Sequence, residues 1–85
     1  MSLADARILV VEDKALIALS LQFEIELAGA VVLGPVPSVR EALDLLDAEE
    51  IDAAIMNVTL IDGDSYPVAS VLQEKRKPFV FVTAF

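Results

Sequence analysis

Eighty-five residues suffice for one small domain, and the chain sets 14 acidic against 6 basic side chains, a formal charge of −8. That balance excludes the basic footprint of an autonomous nucleic-acid binder and of an anionic-membrane binder, while 56% hydrophobic against 24% charged residues excludes a disordered acidic tail. Cysteine and histidine are both absent, which removes disulfides, Cys/His zinc sites and histidine-based triads and leaves an oxygen-ligated hard cation, Mg²⁺ or Ca²⁺, as the metal class.

Ile8-Leu9-Val10-Val11 is a continuous aliphatic run closed by Glu12-Asp13. It reads as a strand buried on both faces, as in a parallel sheet. Residues 15–28 follow. Leu19 to Leu27 alternates like a strand, but the Ala, Leu, Gln and Glu content and the need for a crossover between parallel runs favour a helix. On that helix Leu16, Leu19, Phe23 and Leu27 form one stripe, and Ile17, Leu21 and Ile25 a second beside it. The arc is wider than one sheet contact requires.

A second apolar run covers residues 30–33, with Gly34-Pro35 as turn or strand-entry punctuation. Ser38 and Glu41 make a capping box behind Pro37. The helix they open places Val39, Ala42, Leu43 and Leu46 on one face and leaves Asp44, Asp47, Glu49 and Glu50 in water. Residues 53–56 are the third strand. A third helix begins after Gly63, with Asp64 as its N-cap and Pro67 in its first turn. Lys75-Arg76-Lys77 reads as a basic helix end complementing the helix dipole, and Phe79-Val80-Phe81-Val82 is the fourth strand. Strand, helix, strand, helix is an α/β pattern with right-handed crossovers.

In such sheets ligands gather outside the carboxyl ends of the strands. Glu12 and Asp13 follow the first strand, Asn57 the third and Thr83 the fourth. Two adjacent carboxylates at one edge require solvent or a cation, so the pair is a candidate Mg²⁺ site; the bland reading is a helix cap with a surface acid. No apolar run approaches the ~18 residues of a membrane span, and Met1-Ser2-Leu3-Ala4-Asp5 has no signal-peptide pattern. The expected compartment is cytoplasmic.

The combination resembles a receiver domain of the two-component response-regulator family: Ile8 through Asp13, Ile51 through Leu60, Asp62-Gly63, and Phe79 through Ala84. The resemblance implies a flavodoxin-like, doubly wound parallel sheet. Its strand order over this length would be 2-1-3-4, the order of the flavodoxin-like fold up to the fourth strand. Residues 1–85 would be a partial receiver domain, without the family's fifth strand, last helix and the lysine that the fifth strand carries. It further implies that Glu12 and Asp13 match the family's Mg²⁺-binding acids. Asn57 stands where an aspartate accepts phosphate from a histidine kinase, Thr59 where a backbone carbonyl reaches the metal, and Thr83 where a hydroxyl reports the phosphoryl group.

One departure governs function. An amide oxygen carries no formal charge and is a poor nucleophile toward phosphorus, so position 57 is not expected to be phosphorylated, and the cation site, one acid short, is weakened. The implied activity is non-enzymatic signalling through a histidine kinase or another signalling protein, without nucleic acid or membrane. Two further readings stand beside it. The first is a Mg²⁺-dependent phosphatase or phosphotransferase using Asp13, which needs a second carboxylate where Ala15 stands. The second is a purely structural fragment that associates through its open edge. Finally, the family's first helix shares its sheet face with the last one, so Ile17, Leu21, Ile25 and the Phe79–Val82 edge are expected to be covered by a second copy or by a C-terminal segment.

Overall fold

A computed structural model describes residues 4–82. Its elements run β1 (Arg7–Val11), α1 (Ala15–Leu27), β2 (Val31–Val36), α2 (Val39–Ala48), β3 (Ala53–Asn57), β4 (Thr59–Leu60), β5 (Gly63–Asp64), α3 (Tyr66–Glu74) and β6 (Phe79–Val82). Among the described residues the aliphatic runs pair in parallel in the order β2-β1-β3-β6. This is the flavodoxin-like order expected, with β6 as the fourth sheet strand.

Alternation along the strands divides the core. Leu9, Val11, Ala54 and Met56 face α2 and α3, where they meet Ala42, Leu46, Val68 and Leu72. Ile8 and Val10 are buried toward the other face, with Ala18 of α1 and with Ala30. The α2 apolar face is as read from the sequence: Ala42 and Leu46 are buried, Val39 and Leu43 pack against them, and the acids stay exposed. On β6 the side chains of Phe79 and Phe81 stack edge-on, and Phe81 meets Tyr66 at 5.8 Å between ring centroids.

Three sequence expectations are corrected. First, α1 is a helix, but the stripes exchange roles. Ile17, Leu21 and Ile25 are half-buried around Ala18, whereas Leu16, Leu19, Phe23 and Leu27 stand in solvent. Of the three residues expected to await a partner, Ile25 borders an apolar groove of about 230 Å³ over the open sheet, lined also by Ile8, Ala53, Ile55 and Val80. Both stripes are apolar, so hydropathy alone could not say which one the sheet would take.

Second, the second strand runs to Val36 instead of Leu33, passing through Gly34-Pro35. As an edge strand, β2 tolerates a residue that donates no hydrogen bond. One extra β2 residue is inserted where Leu9 pairs Leu33 and Val11 pairs Val36. Gly34 is required there: its φ is +95°, and a Cβ would lie 2.7 Å from the Val36 nitrogen and 3.0 Å from the Val10 oxygen.

Third, the residue capping α3 is Ser65, not Asp64, and the Ser65 hydroxyl is committed elsewhere; the Asp64 carboxylate accepts instead from the Tyr66 amide at 3.2 Å. The residues after β3 form a small antiparallel hairpin, Thr59 opposite Asp64 and Leu60 opposite Gly63. At its tip Asp62 accepts from the amides of Val39 (2.8 Å) and Arg40 (3.2 Å). The N-terminus of α2 is thus capped twice, by Ser38 from its own chain end (Glu41 amide to Ser38 Oγ, 3.1 Å) and by Asp62 from across the crevice.

Those amide bonds, that from Val39 first, hold the Asp62 carboxyl below its ordinary value of 3.8. Since the folded value is the lower one, the stability that this cap lends is full above the ordinary value and is lost as pH falls through the depressed one. Asp62→Asn should therefore lower the thermal midpoint at neutral pH and flatten the acid limb of stability, read by circular-dichroism melts across pH 2–7 (the approximate working range for a carboxylate). Gly34→Ala should cost about 2 kcal/mol or more, from the positive φ and the backbone clash together, seen as a lower urea midpoint.

Candidate functional site

Parallel pairing of β1 with β3 sets Val11 opposite Met56, so the residues that follow, Glu12 and Asn57, leave the sheet side by side. Neither is a surface group. Glu12 is 3% exposed and Asn57 8% exposed, while Asp13 is half-buried beside them. The Glu12 backbone amide donates to the Val36 carbonyl at 2.9 Å, which ties the acid to the end of β2 as well.

The side chains join directly. Asn57 Nδ2 donates to Glu12 Oε2 at 3.2 Å, and the backbone amide of Lys14 donates to the same oxygen at 3.1 Å. A carboxylate only accepts, so the amide must present its NH₂ toward Glu12 and its oxygen the other way. There Asn57 Oδ1 accepts from the Thr59 amide at 3.4 Å. The Asn57 backbone carbonyl takes the Ser65 hydroxyl at 2.7 Å, with Ser65 fully buried and its own amide donating to the Val58 carbonyl. The strand end, the hairpin and the start of α3 are therefore joined through residue 57.

Two oxygens are left over. Glu12 Oε1 and Asp13 Oδ1 are buried without a hydrogen-bond donor. The Lys14 ammonium approaches Asp13 Oδ1 to 3.8 Å, near enough to offset charge but too far for a hydrogen bond. Anionic oxygens shut away from water and unsatisfied are costly. A small hard cation takes carboxylate, amide and backbone oxygens, and this pair offers it two anionic ligands. The residues present fit such an ion. Among the described residues no cluster of three or more Asp, Glu, His or Cys side chains could hold one, so any cation here rests on two acids.

Of the predicted site residues, Glu12, Asp13 and Asn57 converge. Thr59 is exposed and contributes its amide to Asn57. Thr83 lies outside the described residues; the residue before it, Val82, pairs with Asn57, so β6 ends level with this edge. Lys75, Arg76 and Lys77 follow α3 and precede β6, at the opposite edge of the sheet from these residues. Sequence reasoning missed Ser65, which holds the Asn57 carbonyl, and Lys14, whose amide holds Glu12. A buried serine three residues ahead of an apolar helical face resembles any helix start, so only the fold reveals what its hydroxyl reaches.

No protein-family model matches the chain. It is 34% identical over 80 residues to the transcriptional regulatory protein PdtaR of Mycobacterium tuberculosis, an alignment covering 93% of this chain and 39% of PdtaR. It is also similar to the solution structure of SdrG from Sphingomonas melonis Fr1, at 41% identity and a TM-score of 0.83 over 95% of this chain and 69% of SdrG. The non-phosphorylated receiver domain of HemR from Leptospira biflexa matches at 29% identity and a TM-score of 0.83, over 94% of this chain and 65% of that one. No helix among the described residues is long and apolar enough to cross a membrane. The sheet order, the paired acids at the β1 terminus and these relatives agree: the chain belongs to the receiver domains of the response-regulator family.

Proposed function

We propose that this receiver acts in two-component signalling without being phosphorylated, by contact with partner proteins in the cytoplasm. The observation that carries the reading is the hydrogen bond from Asn57 Nδ2 to Glu12 Oε2. An aspartate at position 57 has no hydrogen to offer; its carboxylate would face Glu12 with like charge. The amide removes that repulsion and, by the same substitution, removes the nucleophile. Its oxygen is conjugated with nitrogen and already accepts from Thr59, so no acyl phosphate forms there.

In this reading Glu12 Oε1 and Asp13 Oδ1 are the ligands for Mg²⁺, with the Asn57 oxygen and the Thr59 carbonyl as neutral ones. A bound cation would supply charge neutralisation to the two acids. Lys14 supplies part of it already, and the amide hydrogen bond another part, so the demand for metal is lower than in a three-acid site. Thr83 is assigned the phosphoryl-sensing position by sequence match, with nothing for it to sense while residue 57 is Asn. Asp13 is not an enzyme's nucleophile in this scheme, because Ala15 brings no second carboxylate and is itself exposed at the start of α1. The partner class is a histidine kinase or another signalling protein.

Incubation with acetyl phosphate and Mg²⁺ should leave the intact mass of the chain unchanged; gain of a base-labile phosphoryl group at residue 57 would overturn the reading. Asn57→Asp loses a buried hydrogen bond and sets an unpaired charge against Glu12. It should therefore cost about 1–3 kcal/mol in metal-free buffer, and recover more stability on Mg²⁺ addition than the parent chain does. Urea midpoints of both proteins with and without Mg²⁺ check this. Equal metal dependence would show that the amide does not offset the acid charge.

A further inference from the structure

The two edges of the four-stranded sheet are unlike. At one, β2 carries Pro35, which has no amide hydrogen, and an extra residue between its pairings with Leu9 and Val11. Both features blunt an edge against pairing with another strand. At the other edge, β6 pairs with β3 on one side only, in unbroken register. Phe79-Val80-Phe81-Val82 has no proline and no charge, and Val80 is 56% and Phe81 38% exposed. Among the described residues no strand meets its other side, so its free backbone groups are a template for one more strand.

Charge names the occupant. Lys75, Arg76 and Lys77 lead directly into β6 and are half of the chain's 6 basic residues. Among the described residues the ion pairs belong to Arg7 and Lys14, and none of these three is paired. Arg76 holds φ at +58°, the left-handed conformation that glycine ordinarily supplies at a helix end, so a base is kept there against backbone strain. At the far end of β6, Val82 lies level with Asn57, the neighbour of the buried Glu12, and Phe81 touches Tyr66, two residues past Asp64. The edge therefore runs from base to acid. An antiparallel copy of the same edge runs from acid to base and matches both ends at once, whereas a parallel copy sets bases against bases. Each chain carries −8, which opposes contact through any face without such local matching.

We infer that β6 is the interface of a two-fold dimer, in which β6 of a second copy adds an antiparallel strand to the open edge. A parallel sheet accepts an antiparallel edge strand. The register follows from the faces. Phe79 and Phe81 pair with Ala54 and Met56 and so face α3, whereas Val80, opposite Ile55, borders the apolar groove. Residues directly opposite each other across a sheet share a face. Centring the pairing on Val80 meets that rule: it sets Val80 against Val80 of the second copy, and Phe79 against Phe81 twice. The assembly closes at two copies, because the pairing is isologous and uses the open edge of each sheet. A ladder this short buries far less than the roughly 800 Å² per partner of a stable complex, so the dimer is weak and reversible. It stands apart from the fate of residue 57.

The test is sedimentation of the 85-residue chain at rising concentration, with a monomer passing reversibly to a dimer and no larger species expected. The chain has no cysteine, so Val80→Cys reports the register: opposed Cα atoms lie about 4.5–5.5 Å apart, within disulfide reach. Mild oxidation should yield a covalent dimer of that variant, while Ile61→Cys, 71% exposed at the hairpin tip, should stay monomeric. Val80→Lys, at an exposed position, should leave the urea midpoint unchanged and weaken dimerisation about tenfold or more. Arg76→Gly should raise the urea midpoint by relieving the left-handed strain and yet weaken the dimer. Overturning results are a monomer at every concentration, assembly that continues past two copies, equal cross-linking through both cysteines, or dimerisation that Val80→Lys or Arg76→Gly leaves intact.

Discussion

The parallel pairing of β1 with β3 governs what this molecule can do. It fixes Val11 beside Met56, and the next residues, an acid and an amide, must then share one small volume at the sheet edge. Taken from water, an acid needs a donor or a cation. At residue 57 the amide supplies a donor, and Lys14 supplies another from the backbone of the first crossover. The hairpin, the α3 start and the β2 terminus are all tied to this pair through Thr59, Ser65 and Val36. An exchange of amide for carboxylate at one position therefore alters charge, metal demand and nucleophilicity together.

The crevice is also braced from outside. Asp62, at the tip of the small hairpin, reaches the first amides of α2, where the partial positive charge of a helix N-terminus favours an anion. The loop after residue 57 is thereby held to an element on the far side of the opening. At the other end of the strands Arg7 holds the β3 approach: its amide donates to the Asp52 carboxylate at 2.8 Å, and its guanidinium to the Glu50 carbonyl at 2.7 Å. These contacts fix the two ends of the strands independently of the acid pair.

Much of the site was legible in the residues because its chemistry is written in short continuous runs. Aliphatic stretches that end in Glu12-Asp13 and in Asn57 can form only buried strands with polar termini, and parallel strands bring those termini to one edge. Ser38 and Glu41 announced a helix start that the structure keeps. What was not legible depended on distance in the chain. Asp62 as a cap for α2 spans more than twenty residues, Ser65 as donor to the Asn57 carbonyl resembled an ordinary helix cap, and Gly34-Pro35 resembled a turn until edge position and a bulge made room for it within β2.

The sequence by itself determined the class of fold, the order of its four sheet strands and three helices along the chain, and the absence of a carboxylate at position 57, since each follows from residue type and the placing of the apolar runs. Only the tertiary structure decided which apolar side of α1 is buried. A helix with two hydrophobic stripes satisfies the sheet with either one, and hydropathy alone does not choose between them. That choice placed Leu16, Leu19, Phe23 and Leu27 in water, and turned what read as core into a surface.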